Sequence, residues 1–326
     1  MDKNIYNTCL IGTGYWGSII FNTLNKITKK KILTFDINKK NNNLLKKKFG
    51  NKVLLSKNLK EIIENKNIKN VILATHPSTN YKLAKKLITN KKNIFIEKPI
   101  VKDQKKLKEL ISLAKKNKVI MMGGYIYLYN SYIRKIKKIL DSKVLGKIKF
   151  IEIQRKNLGP IRNEVDAHMD LGSHDISILF YFFGFKLKIL NISTKKILKK
   201  NISDISTMNI KIKDIFCDIH SSWLNPTKER KILIIGNKKM LIFDEMESKY
   251  KLKIYNNYAY YPDILKFKNN YISKKARVYK GKTKNIFVKE TDTLKNELNH
   301  FIKKCESKTR PITDGAFCLN ILRVLS

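Results

Sequence analysis

Two short stretches of the sequence combine side chains that could move protons. In the first, Glu97 and Lys98 follow an apolar run and precede Pro99. In the second, Asp170 and His174 lie four residues apart, so that in a helix they share one face. A carboxylate beside an imidazole orients the ring and tunes its pKa, which suits acid–base chemistry. Each stretch also has a structural interpretation, as a strand end and as a helix cap beside a core histidine.

A glycine-rich stretch near the N-terminus has the pattern of a dinucleotide-binding loop. The residues Gly12-Thr13-Gly14-Tyr15-Trp16-Gly17 stand between a strand-like run and a helical run, as G-x-G-x-x-G requires. Asp36 ends the next strand-like run at close to the expected ~20 residues further on, where a carboxylate can accept both ribose hydroxyls of NAD. We therefore predict NAD as the cofactor, while Lys39 and Lys40 leave NADP open. The alternative for Asp36 is a cap of the next helix.

Apolar runs and helical patterns alternate along the first part of the chain, up to Met122. Alternating units of this length predict a parallel, doubly wound sheet of the Rossmann type. In such sheets the ligand binds at the carboxyl ends of the strands. Four residues of interest fall at predicted strand ends: Gly12, Asp36, Thr75 and Lys98.

The pattern changes after Gly123. Consecutive strands with short turns, including a hairpin signal at Gly236-Asn237, predict an open, mostly antiparallel sheet. The segment from Asn256 to Lys289 is polar and is expected to be irregular. We therefore expect an α/β protein, with an NAD(P)-binding Rossmann domain at residues 1–123. Residues 124–326 would form a C-terminal domain for substrate binding and oligomerisation.

The net charge of +43 could indicate a nucleic-acid or membrane partner. However, 62 of the 69 basic residues are lysines spread over the whole chain, whereas base recognition and bidentate phosphate binding favour arginine. We expect a solvated, lysine-rich surface and no specific nucleic-acid partner. No apolar run approaches the ~18 residues of a membrane span, and the first residues show no leader pattern. Four scattered cysteines without metal spacing fit reduced thiols in the cytoplasm, and no metal site.

The chain resembles the Gfo/Idh/MocA oxidoreductases, which include glucose–fructose oxidoreductase and inositol dehydrogenase. Four stretches carry the resemblance, in the order and at the spacing of that family: Gly12–Gly17, Ala74–Pro77, Glu97–Pro99 and Asp170–Asp175. The resemblance implies a Rossmann domain followed by an α/β domain with an open antiparallel sheet. It also implies hydride transfer between NAD(P) and a sugar or polyol carbinol, with Lys98, Asp170 and His174 as the catalytic set.

The motifs and the resemblance together predict which residues meet each ligand. Those expected at the cofactor are Gly12, Thr13, Gly14, Tyr15, Trp16, Gly17, Asp36, Thr75, His76, Asn80, Glu97 and Lys98. Those expected at the substrate are Lys98, Tyr127, Arg155, Asn157, Asp170 and His174. The proton acceptor is either His174, oriented by Asp170, or Lys98 with a lowered pKa. Many family members carry other residues at His76, Asn80 and Tyr125, so the details of the cleft differ here.

Three stretches are most similar in sequence to those of family members that act on nucleotide sugars: Tyr127–Asn130, Arg155–Gly159 and Asp170–Leu179. Such members oxidise the 3-hydroxyl of a UDP-linked acetamido sugar on the way to surface polysaccharides. An inositol or polyol dehydrogenase, or a keto-sugar reductase, is the alternative within the family. A non-catalytic NAD(H)-binding sensor or scaffold is the alternative of another class. The expected partners are this sugar substrate and further copies of the chain, in a dimer or tetramer formed through the C-terminal sheet.

Overall fold

The computed structural model describes residues 5–163, 165–260 and 276–326. The chain divides into two compact units, of which the first comprises Met1–Tyr129 and Thr291–Ser326 and the second comprises Asn130–Glu290. The sequence pattern instead assigns all residues from 124 onward to one C-terminal domain. In the structure, the last 36 residues pack with the first unit.

The first unit is built on a six-stranded parallel sheet. Its alternating elements are β1 (Thr8–Ile11), α1 (Tyr15–Ile27), β2 (Ile32–Phe35), α2 (Lys39–Phe49), β3 (Val53–Leu55), α3 (Leu59–Glu64), β4 (Asn70–Leu73), α4 (Pro77–Thr89), β5 (Asn93–Glu97), α5 (Gln104–Lys116) and β6 (Met121–Gly124). The strand order is β3-β2-β1-β4-β5-β6, and every neighbouring pair is parallel. This order confirms the predicted Rossmann sheet, whose ligand crevice lies where the order reverses, between β1 and β4.

The second unit is built on an eight-stranded mixed sheet. Its elements are α6 (Ser131–Asp141), β7 (Ile148–Leu158), α7 (Ser173–Phe183), β8 (Lys188–Lys195), β9 (Ile205–Ile212), β10 (Ile215–Ser222), β11 (Leu224–Gly236), β12 (Met240–Asp244), β13 (Leu252–Tyr260) and β14 (Arg277–Asn285). The strand order is β14-β13-β12-β11-β7-β10-β9-β8. Among the described pairs of this second sheet, only β7 and β10 run parallel, so the sheet is mostly antiparallel, as predicted.

The two last strands of this sheet contradict the expectation that Asn256 to Lys289 is irregular. Strands β13 and β14 pair with each other, and the rings of Tyr258 and Tyr279 stack across the pair with centroids 5.0 Å apart. Residues 261–275 of this segment lie outside the described residues. The sequence gives a weak strand signal here because most side chains of β14, the edge strand, are exposed and polar.

Two C-terminal helices, α8 (Thr293–Ser307) and α9 (Gly315–Leu325), complete the first unit. The ring of Phe301 on α8 meets that of Phe95 on β5, with centroids 5.8 Å apart. On α9, Phe317 meets Tyr125 at the same distance, 5.8 Å. These contacts explain why the last helices belong with the Rossmann sheet: their buried faces cover a side chain of β5 and a side chain that directly follows β6.

None of the helices within the described ranges has both the length and the apolar character that crossing a bilayer requires.

Candidate active site

The glycine-rich loop joins β1 to α1, and its glycines differ in what surrounds them. Gly12 has φ +90°, and a Cβ added there would lie 2.4 Å from the carbonyl oxygen of Ala74. A Cβ on Gly17 would lie 2.0 Å from the carbonyl oxygen of Gly12. Both positions therefore need glycine for the fold itself. A Cβ on Gly14 would meet only Asn41 Nδ2, at 3.8 Å, among the described atoms within 4 Å. The space over Gly14 is open, as a pyrophosphate at the N-terminus of α1 requires.

Asp36, at the end of β2, is held beside this loop. Its Oδ2 accepts hydrogen bonds from the Thr13 amide at 2.7 Å and from Asn41 Nδ2 at 3.2 Å. Its Oδ1 accepts from the Asn38 amide at 2.8 Å. The side-chain cap of α2 is Asn38, which accepts from the Lys40 amide. Asp36 thus ties the glycine loop to the start of α2 rather than serving as the predicted alternative, the cap itself.

The loop after β4 is joined to the loop after β5 by hydrogen bonds through Asn80. Thr75 Oγ1 donates to Asn80 Oδ1 at 2.7 Å, and Asn80 Nδ2 donates to the Pro99 carbonyl at 3.3 Å. Asn80 is buried. His76 stands at the N-cap of α4, and its Nδ1 lies 2.8 Å from Ser78 Oγ. Because Asn80 bridges the two loops, the Thr75 loop and the loop that carries Lys98 are fixed to each other.

Glu97 ends β5, and Lys98 follows it at the carboxyl end of the sheet. A Cβ added to Gly124 would lie 2.9 Å from Glu97 Oε2, so the carboxyl group lies directly over the end of β6. Burial raises the pKa of Glu97 to about 7, although a hydrogen bond from the Trp16 side chain and the positive charge of Lys98 oppose this rise. The carboxyl therefore holds its proton more tightly than an exposed glutamic acid does, and the charges placed beside it affect its ionisation.

Asp170 and His174 lie in the second unit, where the chain enters α7. A wide, π-type turn spans His168–Gly172 and carries Asp170, and His174 lies in the first turn of α7. Asp170 is buried and forms an ion pair with Arg162, whose Nε donates a hydrogen bond to Asp170 Oδ2 at 3.5 Å. The sequence predicts one continuous α-helix here; the π-type turn is a difference, and such turns are common at functional sites.

The two substrate-side candidates on β7 are bonded inside the second unit. Arg155 donates through Nε and Nη2 to the same oxygen of Asp175, at 2.8 and 2.7 Å, and both side chains are buried. Asn157 donates to the Gly159 carbonyl and accepts from Arg230. Contact of Arg155 or Asn157 with the substrate stays a prediction. Asp175 is a residue whose role the sequence argument misses, although it lies in the same motif as His174.

Tyr127, the remaining substrate-side candidate, lies in the first unit. It belongs to a short helical turn, Ile126–Tyr129, that follows β6. Its ring is partly exposed. Each unit thus assembles its own share of the predicted residues: the first holds the glycine loop, Asp36, Asn80 and Lys98 on one sheet edge, and the second holds Asp170 with His174.

Glu297 on α8 is a further buried acid, and it lies outside the motifs identified in the sequence. It is completely buried, at 0% exposure. A signal was present, because Glu297 lies three residues after Leu294 and four before Phe301, on the apolar stripe of its helix. An acid on such a stripe predicts a buried carboxyl that needs a partner.

Two family models match this chain. Residues 6–125 match the model of an oxidoreductase family with an NAD-binding Rossmann fold. Residues 133–242 match the model of the GFO/IDH/MocA C-terminal domain. The chain belongs to the Gfo/Idh/MocA oxidoreductase family. The first unit of this Gfo/Idh/MocA protein is accordingly an NAD-binding Rossmann domain.

Sequence relatives and solved structures agree with this assignment. The myo-inositol 2-dehydrogenase of Thermotoga maritima is 25% identical over 38% of this chain and 39% of its own. The matched stretches span between 39% and 49% of the length of the first curated relatives.

Two solved structures share the fold over nearly the whole chain. UDP-N-acetylglucosamine 3-dehydrogenase GnnA from Acidithiobacillus ferrooxidans has a TM-score of 0.79 and 16% identity, over 98% of this chain and 94% of its own. KijD10, a 3-ketoreductase from Actinomadura kijaniata in complex with NADP and TDP-benzene, has a TM-score of 0.80 and 12% identity, over 99% and 96%.

Proposed function

We propose that this Gfo/Idh/MocA protein is an NAD-dependent dehydrogenase that transfers a hydride between the nicotinamide and a sugar carbinol. The observation that carries the proposal is the position of Lys98. It stands at the carboxyl end of β5, and Asn80 fixes its loop to the Thr75 loop after β4, the strand that pairs with β1. A lysine at this edge of an NAD-binding sheet is placed where the reacting end of a dinucleotide is expected.

The chain offers a complete set of groups for the cofactor. The open backbone at Gly14 and the N-terminus of α1 suit the pyrophosphate. Asp36 would accept the ribose hydroxyls, and its negative charge disfavours the 2′-phosphate of NADP. Thr75, His76 and Glu97 would border the nicotinamide, which accepts the hydride when bound.

Lys98, Asp170 and His174 would carry out the proton transfer. In the direction of oxidation, His174, oriented by Asp170, would take the proton of the substrate hydroxyl. Lys98 would donate a hydrogen bond to the same oxygen and stabilise the negative charge that develops there. The second assignment, with Lys98 as the base, requires a lowered pKa for its amine. The pH dependence of turnover in Lys98→Arg distinguishes the two, because an arginine stabilises the charge but does not accept the proton.

As the substrate we propose a nucleotide sugar, oxidised at its 3-hydroxyl in the synthesis of a surface polysaccharide. Two findings support this choice. One is the local sequence around Tyr127, Arg155 and Asp170. The other is the fold shared with a UDP-N-acetylglucosamine 3-dehydrogenase. The myo-inositol 2-dehydrogenase among the relatives favours a polyol as the second candidate. A panel of UDP-sugars and inositols with NAD, followed by NADH absorbance, separates them. Turnover of inositols alone, or of nothing in the panel, would contradict the nucleotide-sugar assignment.

We also propose that a second copy of the chain covers the open face of the large sheet. On β7, Arg155 points toward α7, where it meets Asp175, so Phe150 points to the opposite face by the alternation of a strand. Phe150 and Phe216 stack there with centroids 6.0 Å apart, and Phe216 is 42% exposed. A partly exposed aromatic pair on an open sheet face suits a two-fold interface. Light scattering should show a dimer or tetramer, and Phe216→Lys should lower its mass; an unchanged mass contradicts the interface.

The compartment that we propose is the cytoplasm. All four cysteines lie in the described part of the chain, and none of them is in a disulfide. Unpaired thiols are typical of a reducing compartment.

A further inference from the structure

Glu297, a buried acid on α8, faces the same layer of the first unit as Glu97. Phe95 and Glu97 are two residues apart on β5, so their side chains leave the same face of the sheet. Glu297 and Phe301 are four residues apart on α8 and lie on one face of that helix. Because the rings of Phe95 and Phe301 are in contact, with centroids 5.8 Å apart, the geometry brings the carboxyl groups of Glu97 and Glu297 into one layer between β5 and α8.

Glu297 has surroundings in which an ionised carboxylate would be costly. The residue is completely buried, and neither carboxyl oxygen makes a hydrogen bond of ordinary geometry within the part of the chain that the structure describes. Burial, and then the negative charge of Glu97, raise its pKa well above the ordinary value, while the Tyr125 amide opposes this rise. These surroundings therefore favour the protonated form of Glu297.

The described titratable groups beside the two acids include Tyr125, Cys318, His300 and Lys98. Burial raises the pKa of the Tyr125 hydroxyl and of the Cys318 thiol well above their ordinary values, so both keep their protons. His300, on the same helix as Glu297, accepts the Ile312 amide through Nε2 at 3.2 Å. Lys98 is the cation that acts on Glu97. Among these groups, the two glutamates are the carboxyls that can carry negative charge.

We propose that Glu97 and Glu297 hold one proton between them, and that Glu297 is a positioning residue for the strand end that carries Lys98. Two carboxyl groups in one buried site do not both ionise. Protonated Glu297 would donate a hydrogen bond to the Glu97 carboxylate, which keeps its charge toward Trp16 and Lys98. The role in turnover rests on the proposed function of Lys98, whereas the shared proton does not.

Infrared spectroscopy tests the shared proton without any substrate. At pH 8 ordinary Asp and Glu side chains are ionised, so the carbonyl band of a protonated acid reports a buried one. We expect this band in the wild-type protein and in Glu306→Gln, an exposed control on the same helix, and its loss in Glu297→Gln. In Glu97→Gln the band should remain but move to higher frequency, because the bond to a carboxylate is gone. Absence of the band in the wild type, an unchanged Glu297→Gln spectrum, or an unmoved band in Glu97→Gln would each overturn the proposal.

Turnover kinetics test the positioning role. Glu297→Gln resembles the protonated acid and should keep most of the turnover, with a pH profile shifted because the shared proton is gone. Glu297→Leu should lose at least ~10-fold in kcat while NADH affinity is retained, since small displacements of reacting groups cost up to ~10²-fold. Equal loss in both variants, or no loss in either, contradicts positioning. If the wild type oxidises no sugar, the proposed function fails, and the infrared spectra still decide whether the proton is shared.

Discussion

At the scale of single residues, some glycines of the loop are required by the packing of the fold, and another is explained only by a bound ligand. Gly12 and Gly17 are closely surrounded by backbone, whereas Gly14 faces open space. Gly14 has φ −62° and ψ −161°, which other residues adopt without strain. Its lack of a side chain therefore has no explanation within the described protein atoms and points to the bound cofactor.

Gly14→Ala should leave the fold intact and weaken the cofactor. We expect a melting temperature close to that of the wild type and a loss of NADH affinity of at least ~10-fold, or about 1.4 kcal/mol. Gly12→Ala is the matched comparison, and it should cost ~1–3 kcal/mol or more of folding free energy because the new methyl group overlaps Ala74. Fluorescence titration with NADH and thermal melting measure the two effects. Unchanged NADH affinity in Gly14→Ala would contradict the assignment of this loop.

At the scale of elements, a buried ion pair attaches α7 to β7. Arg155 on β7 places two donors on one oxygen of Asp175, the residue next to His174. Burial raises the pKa of Asp175, and the charge of Arg155 opposes that rise. Because Arg155 is fully enclosed, the pair holds the start of α7, and with it the imidazole of His174, against the sheet.

Asp175→Ala should destabilise the protein by about 3–5 kcal/mol, because it removes the carboxylate that accepts two hydrogen bonds from the buried charge of Arg155. The control is Asp214→Ala, which breaks the Lys147–Asp214 pair of 3.0 Å on the surface. Exposed pairs contribute only ~0–1 kcal/mol, so this variant should be nearly neutral. Urea unfolding measures both values. Equal effects in the two variants would show that burial of the Arg155 pair is unimportant.

The elements also show how far the sequence determines the fold and the site. The parallel sheet, the glycine loop and Asp36 were predictable because their signals are local: strand, turn and helix follow one another at fixed spacing. The edge strand β14 was not predictable because its exposed side chains lack apolar alternation. Contacts between distant segments, such as Arg155 with Asp175 or Phe95 with Phe301, depend on tertiary packing. The acid Glu297 was visible on its helix and Glu97 was visible at its strand end, but the packing of the two elements against each other was not.

At the scale of the whole molecule, the Rossmann unit is not continuous in sequence. Residues 291–326 supply α8 and α9, which bury nine large apolar side chains in the first unit: Leu294, Leu298, Phe301, Ile302, Phe317, Leu319, Ile321, Leu322 and Leu325. At ~1.5–3 kcal/mol for each, the gross contribution of their burial reaches or exceeds the ~5–15 kcal/mol by which a whole domain is stable. The N-terminal unit therefore depends on the C-terminal end of the chain.

A chain that ends at residue 290 should lose NADH binding, because its Rossmann unit lacks α8 and α9. A milder change, Phe301→Ala, should cost about 3–5 kcal/mol, whereas Ile312→Ala, at a residue that is 39% exposed, should have little effect. NADH titration and thermal melting measure these outcomes. Normal NADH binding by the shortened chain would contradict the division into units.

The central claim is that Lys98 and His174 act in chemistry and do not merely hold the cofactor. Its most direct test is the turnover of Lys98→Ala and His174→Ala with the best sugar of the panel, beside NADH affinity in the same preparations. Lys105→Ala, an exposed lysine on α5, is the control. Our account predicts that both variants bind NADH nearly as tightly as the wild type and lose ~10²–10⁴-fold in kcat, while the control keeps its rate. Near-normal turnover in both variants would contradict the account.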